Sequence, residues 1–354
     1  MQYAQKRKKV GWVCTYTPEE LIYAAGFTPT RLFPGDDQNA GGIEDIFPNS
    51  ICPFVRQVMN EIRSEAENLE GLVIANSCNA MMHLYNALNK EFNGFIYLLD
   101  VPRKIDLKAE NYFYRELHGL LYFFEKQGGR VNDRTLKNSI ELYKHRTGIL
   151  KKLTNGNGLA GNHFKGGVHE IALEAASISP EEFISRSNAA LKKAGSTESQ
   201  RNNKHGSLLL SGSILPAGLV EMLESISGFE ILPDTCSGLR YILKPGIEIG
   251  DNNRASRDQI LQSIACSYLS KPPCPRQLES GLRKEYFLNL LEEFDVKALV
   301  YHDLMFCDLC HYDYLMIKEW LESINLPHLK IKTELGREDS GQLQTRVEAF
   351  LEII

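Results

Sequence analysis

The strongest constraint on the fold is an alternation along the chain. Short apolar runs rich in β-branched and aromatic residues are separated by long amphipathic stretches. Runs of that length suit buried strands, and amphipathic segments between them suit the crossover helices that parallel strands require. The pattern therefore predicts an α/β protein with parallel sheets. Strands are expected at 10–14, 71–75 and 94–99 in the first half, and at 207–211, 229–232, 298–302 and 328–333 in the second. Between the sets, residues 111–194 read as helical with a glycine-rich interruption. At 354 residues the chain exceeds the roughly 100–200 residues of one usual domain. The expected division is an N-terminal α/β domain at 1–110, a helical connecting region at 111–204 and a C-terminal α/β domain at 205–354. No internal repeat of fixed period is evident.

Charge and hydropathy exclude several classes. A formal net charge of −5 carries no electrostatic footprint for nucleic acid beyond the short run Lys6, Arg7, Lys8 and Lys9, which reads as a solvated lead-in. No apolar run approaches the roughly 20 residues of a membrane span, and no apolar segment follows the basic start as a signal peptide would require. The expectation is a cytoplasmic chain with neither a nucleic-acid nor a membrane partner. In that reducing compartment eight cysteines are not disulfides, which leaves buried thiols, catalysis or metal ligation.

Their positions discriminate among these. Cys14 ends the first strand and precedes Thr17-Pro18-Glu19-Glu20, which reads as a capping box with proline at the first helical position. Cys52 precedes Pro53 at a helix opening. Cys78 follows the strand at 71–75, Cys236 follows that at 229–232, and Cys307 follows that at 298–302. Four cysteines thus fall at carboxyl ends of strands and a fifth opens a helix, where open α/β sheets bind ligands and helix N-termini stabilise thiolates. Cys274, in Pro272-Pro273-Cys274-Pro275, sits in a loop that proline keeps out of helix interior. Cys266 shares the apolar side of a helix at 258–269 with Leu261 and Ile264 and is expected in the core. Cys310 forms a C-x-x-C with Cys307, a weak metal signal without a second pair, and its status as a ligand stays open. Taken together, six thiols in loops point to soft-metal ligation, zinc or iron-sulfur.

The motifs then resemble the 2-hydroxyacyl-CoA dehydratase and benzoyl-CoA reductase superfamily, nearly end to end. The resemblance rests on Val10-Gly-Trp-Val-Cys14 continuing as TYTPEELIYAAGFTPTRL, on FPNSICPF around Cys52, NSCNAMMHLYN around Cys78 and DTCSGLRY around Cys236. It continues through Pro273-Cys274-Pro275, MFCDLCHYDY around Cys307 and SGQLQTRVEAFLE from Ser340. It implies two Rossmann-like or flavodoxin-like domains with an iron-sulfur cluster between them. For a dehydratase subunit it implies a single 4Fe-4S cluster on Cys52, Cys78 and Cys307 with one iron open, fed by an ATP-hydrolysing iron-sulfur activator. One low-potential electron then yields a ketyl radical that expels hydroxyl. Cys14, Cys236 and Cys274 resemble the additional cysteines of the double-cubane branch, whose 8Fe-9S cluster needs six thiolates, so a double-cubane reductase fits this sequence better. The resemblance further implies a homodimer or a heterodimer with a homologous subunit, and a small-molecule or acyl-CoA substrate. Asn79, Cys310 and His311 depart from the usual pattern, which leaves the substrate open. A non-enzymatic iron-sulfur redox module is the remaining alternative.

Other residues read more plainly. Glu19 and Glu20 could be proton donors beside Cys14, but helix capping explains them. Tyr16 could bond a substrate or simply pack. His83, His302 and His311 show no metal-ligand spacing. The G-x-G-x-x-G in 155–161 follows a helix and reads as an inter-helix loop, and no Walker A sequence is present. Ser340-Gly341-Gln342 reads as an ordinary helix start.

Overall fold

The structure is a computed structural model, which describes residues 7–34, 43–154, 167–194, 206–216, 218–250, 255–335 and 340–354. The eight strands are β1 Lys9–Trp12, β2 Thr28–Arg31, β3 Leu69–Asn76, β4 Phe95–Asp100, β5 Ser207–Gly212, β6 Glu230–Asp234, β7 Val296–Leu304 and β8 His328–Thr333. They form two wholly parallel four-stranded sheets, ordered β2-β1-β3-β4 and β6-β5-β7-β8. Both follow the same 2-1-3-4 winding, so the molecule holds a structural duplication that no sequence period announces. Parallel sheets are covered on both faces. Accordingly Leu72, Val73, Ile74 and Ala75 of β3 and Ala298, Leu299, Val300 and Tyr301 of β7 are fully buried.

In the first half the helices are α1 Glu19–Ala24, α2 Pro53–Glu65 and α3 Asn79–Glu91. Next come α4 Leu107–Lys126, α5 Asp133–Thr154, α6 Gly167–Ser177 and α7 Pro180–Ala194, which bear out the helical reading of the centre. The rest are α8 Leu219–Ser227, α9 Leu239–Ile242, α10 Arg257–Leu269, α11 Ser280–Glu293, α12 Asp308–Ser323 and α13 Ser340–Leu351. Local chemistry starts them where expected: Asp106 accepts from the Ala109 amide at 2.7 Å, and Ser256 and Gln259 close a capping box on α10. The largest core cluster takes residues from both sheets and the central helices, joining Val10, Phe113, Ile171, Leu209 and Tyr301.

Three expectations need correction. The edge strand β2 has no counterpart among the expected strands, because Thr28-Pro29-Thr30-Arg31 is short and carries a proline, which edge strands tolerate. The capping box before α1 does not form; Pro18 is the cap and makes no side-chain bond, and the Glu19 amide donates instead to the Tyr268 hydroxyl at 3.2 Å. Cys266 is exposed rather than core, since it lies on the solvent stripe of α10 one turn from exposed Gln262 and Ser270. The glycine-rich segment 155–161 lies outside the described residues. Among the described residues no helix is long and apolar enough to cross a membrane.

Candidate functional site

The carboxyl ends of the two sheets enclose one chamber. Its walls include all six predicted cysteines, Cys14, Cys52, Cys78, Cys236, Cys274 and Cys307, and also Cys310. Its volume is about 140 Å³. Topology explains the convergence. Cys14 and Cys78 leave β1 and β3, the strands flanking the point where the first sheet reverses its order, and Cys307 leaves β7, the counterpart of β3 in the second. Ligands bind at such reversals in open α/β sheets. Gly212, leaving β5, closes the wall at φ 115°. A Cβ there would lie 2.1 Å from the His302 carbonyl oxygen, so only glycine fits.

Cys52, Cys78 and Cys307 share a further property: each is the N-terminal cap of a helix, α2, α3 and α12 respectively. Unpaired amides and the positive end of each helix thereby point at sulfur. Phe306, just before Cys307, adopts φ 61°, the left-handed turn that carries β7 into α12. Three of the thiols, Cys52, Cys307 and Cys310, bond one another. The Cys307 thiol is held well below its usual range because Cys310 and Cys52 donate to it. Those two are pushed up for the same reason, burial adding to it. Burial also raises Cys78, to about 11, and Cys274. Among the described residues no three His, Cys, Asp or Glu side chains are grouped so as to hold a single metal ion; the thiols line walls rather than meet at a point.

The chamber's two ends differ. At the Cys52, Cys78 and Cys307 end it adjoins an open pocket of about 460 Å³, lined also by Arg103, Leu278, Phe306, Tyr312 and Met316. At the Cys14, Cys236 and Cys274 end it is packed with buried cations. Arg31 donates to the Cys236 carbonyl at 2.8 Å and to Cys236 Sγ at 3.3 Å. Arg240 pairs with Asp234 at 3.3 Å, and Arg276 donates to the carbonyls of Val101, Pro102 and Ser77. Lys271 donates to Thr15 Oγ1 and sits 3.8 Å over the Tyr16 ring. Burial lowers the Lys271 pKa to about 8. Tyr16 is buried beside the chamber next to Arg276, and burial raises its pKa. Sequence reading missed these cations; the flanking of Cys274 by Lys271 and Arg276 was the available signal.

Glu19 and Glu20 are neither caps nor free acids. Arg146 of α5 binds Glu19 through two bonds of 2.8 and 2.9 Å, and Tyr241 adds a third at 2.9 Å. Glu20 takes Lys244 at 2.7 Å and Tyr268 at 2.6 Å. Burial acts to raise the Glu20 pKa, but the Lys244 ammonium overcomes it and the net shift is downward. His302 bonds Ser213 and Thr333 and is buried, His311 bonds Asp303, and His83 is exposed.

Fold and site together define a class: two parallel α/β units of one topology with a cysteine-lined chamber between their sheet ends. Over residues 14–354 the chain matches the family described as 2-hydroxyglutaryl-CoA dehydratase, D-component, and it belongs to that family. It is 22% identical to the (R)-phenyllactyl-CoA dehydratase beta subunit of Clostridium sporogenes, over 98% of this chain and 92% of that one. It is 21% identical to the beta subunit of the (R)-2-hydroxyglutaryl-CoA dehydratase of Acidaminococcus fermentans, over 99% and 93%. It is 22% identical to one of the subunits of the benzoyl-CoA reductase of Thauera aromatica, over 96% and 88%. These relatives are subunits of enzymes, which supports an enzymatic role here.

Proposed function

We propose that this chain is an iron-sulfur reductase of the 2-hydroxyacyl-CoA dehydratase superfamily, of the double-cubane type, which receives low-potential electrons from an ATP-hydrolysing iron-sulfur activator and reduces a small substrate. The observation that carries the reading is the gathering of all six predicted cysteines on one chamber. The donor set fits the group: soft thiols from both halves, three of them capping helices, suit all-sulfur ligation of iron. Cys14, Cys236 and Cys274 would hold one half, and Cys52, Cys78 and Cys307 the other. When bound, the group supplies low-potential one-electron storage and polarising metal.

The chain's own residues do the rest. Helix N-termini at Cys52, Cys78 and Cys307 act against burial by favouring negative charge on sulfur. Val13, Phe54, Val55, Met81 and Leu304 line the chamber and keep water from it. The adjoining pocket admits substrate, with Arg103 as an anion contact and Tyr312 and Met316 as apolar surface. The names of the relatives support assembly with a second subunit.

A single-cluster dehydratase subunit is the second reading, favoured by the helix caps that Cys52, Cys78 and Cys307 alone share. Iron and acid-labile sulfide on anaerobically purified protein, with the electron paramagnetic resonance spectrum of the reduced form, separate the two. About eight irons per chain support the double-cubane reductase, about four the dehydratase-like subunit, and none after reconstitution refutes both.

A further inference from the structure

Three buried cations lie at the inner end of the chamber without a carboxylate partner among the described residues: Arg276 in its wall, Arg31 against Cys236 and Lys271 against Thr15, itself in the wall. Arg31, Lys271 and Arg276 are only 3%, 3% and 2% exposed. No carboxylate among the described residues lies within 4.0 Å of their nitrogens. Their hydrogen bonds go to backbone carbonyls, the Thr15 hydroxyl and Cys236 Sγ. Neutral acceptors leave the charge of a buried cation only partly compensated, so the arrangement favours negative charge in the space they face. What they surround is sulfur: the Lys271 ammonium is favoured by the charges of Cys14, Cys274 and Cys236, in that order. At the other end of the chamber the side chains lining it beside Cys52, Cys78 and Cys307 include the apolar Val55, Met81, Leu304 and Leu309; of the cations in the pocket beyond, Arg103 is exposed to solvent and Arg283 is paired with Asp313 at 2.7 Å.

We infer that Arg31, Lys271 and Arg276 are electrostatic positioning residues that make the Cys14/Cys236/Cys274 half the resting place of the first electron, leaving the Cys52/Cys78/Cys307 half to face substrate. This rests on the two-cubane reading above. Thiolate-held iron-sulfur groups carry net negative charge, and reduction adds one more. Buried positive charge beside one half therefore raises its reduction potential relative to the other. The step is a one-electron transfer from a low-potential donor; no bond is made or broken and no proton moves. The division separates electron entry and storage from the pocket that contacts only the outer three cysteines.

The test is a redox titration followed by electron paramagnetic resonance, with iron counted per chain, on wild-type protein and on Lys271→Met, Lys271→Arg and Arg31→Gln. Wild type should hold about eight irons and show two reduction steps. Lys271→Met should weaken the more positive step by at least tenfold, about 59 mV for one electron, and leave the more negative step in place. Arg31→Gln should move the same step, and Lys271→Arg should restore it. A Lys271→Met protein holding about four irons with the outer signal intact supports the same assignment. Full iron with no shift, or an equal shift of both steps, overturns it. Wild-type protein with about four irons refutes the two-cubane reading before any variant is made.

Discussion

The Arg146–Glu19 pair offers the sharpest test of what holds the inner cysteines in register. The guanidinium spans both oxygens of Glu19 at 2.8 and 2.9 Å and bonds the Ala175 carbonyl at 3.0 Å; both side chains are 3% exposed. It thus ties α5 and α6 to α1, the helix that begins one turn after Cys14. Arg146→Met keeps much of the volume but leaves a buried carboxylate with Tyr241 as its remaining side-chain partner. Breaking a buried pair from one side costs about 3–5 kcal/mol. In urea unfolding followed by tryptophan fluorescence, the midpoint should fall by roughly 1–1.5 M at a slope of about 3 kcal/mol per M, the upper end of the small-protein range that a chain of this length reaches. Glu19→Leu on top of Arg146→Met should recover a large part of the loss, because no unpaired charge then remains, giving a coupling of about 1–3 kcal/mol. A loss below about 1 kcal/mol for Arg146→Met, or two single losses that simply add, would refute the reasoning.

Burial holds His302 and His169 at a folded pKa of about 4 against a free value of 6.5. The unfolded chain takes the proton first, so stability present above pH 6.5 is lost as pH falls toward 4, by about 1.4 kcal/mol per pH unit and about 3 kcal/mol in total for each histidine. His302→Gln should remove its share of that slope in unfolding measured from pH 7 to 4.5, and an unchanged slope would count against the assignment. Phe306 sits at φ 61°, so Phe306→Gly should be more stable than Phe306→Ala by about 1 kcal/mol in urea unfolding; the reverse order would show that the turn carries no strain. Exposed Cys266 should be alkylated first in native apoprotein, and Cys266→Ser should abolish that fast phase while changing stability by no more than about 0.5 kcal/mol.

What is legible in the sequence is local. Strand, turn and helix opening follow one another within a few residues at Cys78, Cys236 and Cys307, so their place at sheet ends can be read directly. The strands at 71–75 and 298–302 fall inside β3 and β7 because continuous apolar runs mark buried parallel strands. Long-range facts stay hidden. Arg31 reaches Cys236 across 205 positions and Lys271 reaches Thr15 across 256; nothing around Arg31 announces a buried charge, and for Lys271 the one local sign is its place just before Cys274. Glu20 looks like a cap because the T-x-x-E spacing is right, yet Lys244 and Tyr268, distant in sequence, bind it more strongly than a backbone amide could. Cys266 misleads because α10 is apolar around most of its circumference, and periodicity then marks the exposed stripe poorly.

The chamber also sets an order of events. Its predicted ligand thiols span from Cys14 to Cys307, and the last of them caps the helix that follows β7, the strand held between β5 and β8. A nascent chain that has completed its first sheet owns Cys14, Cys52 and Cys78 but lacks the opposite wall. Any group that needs sulfur from both halves must therefore be completed after synthesis has delivered the chain through Cys307.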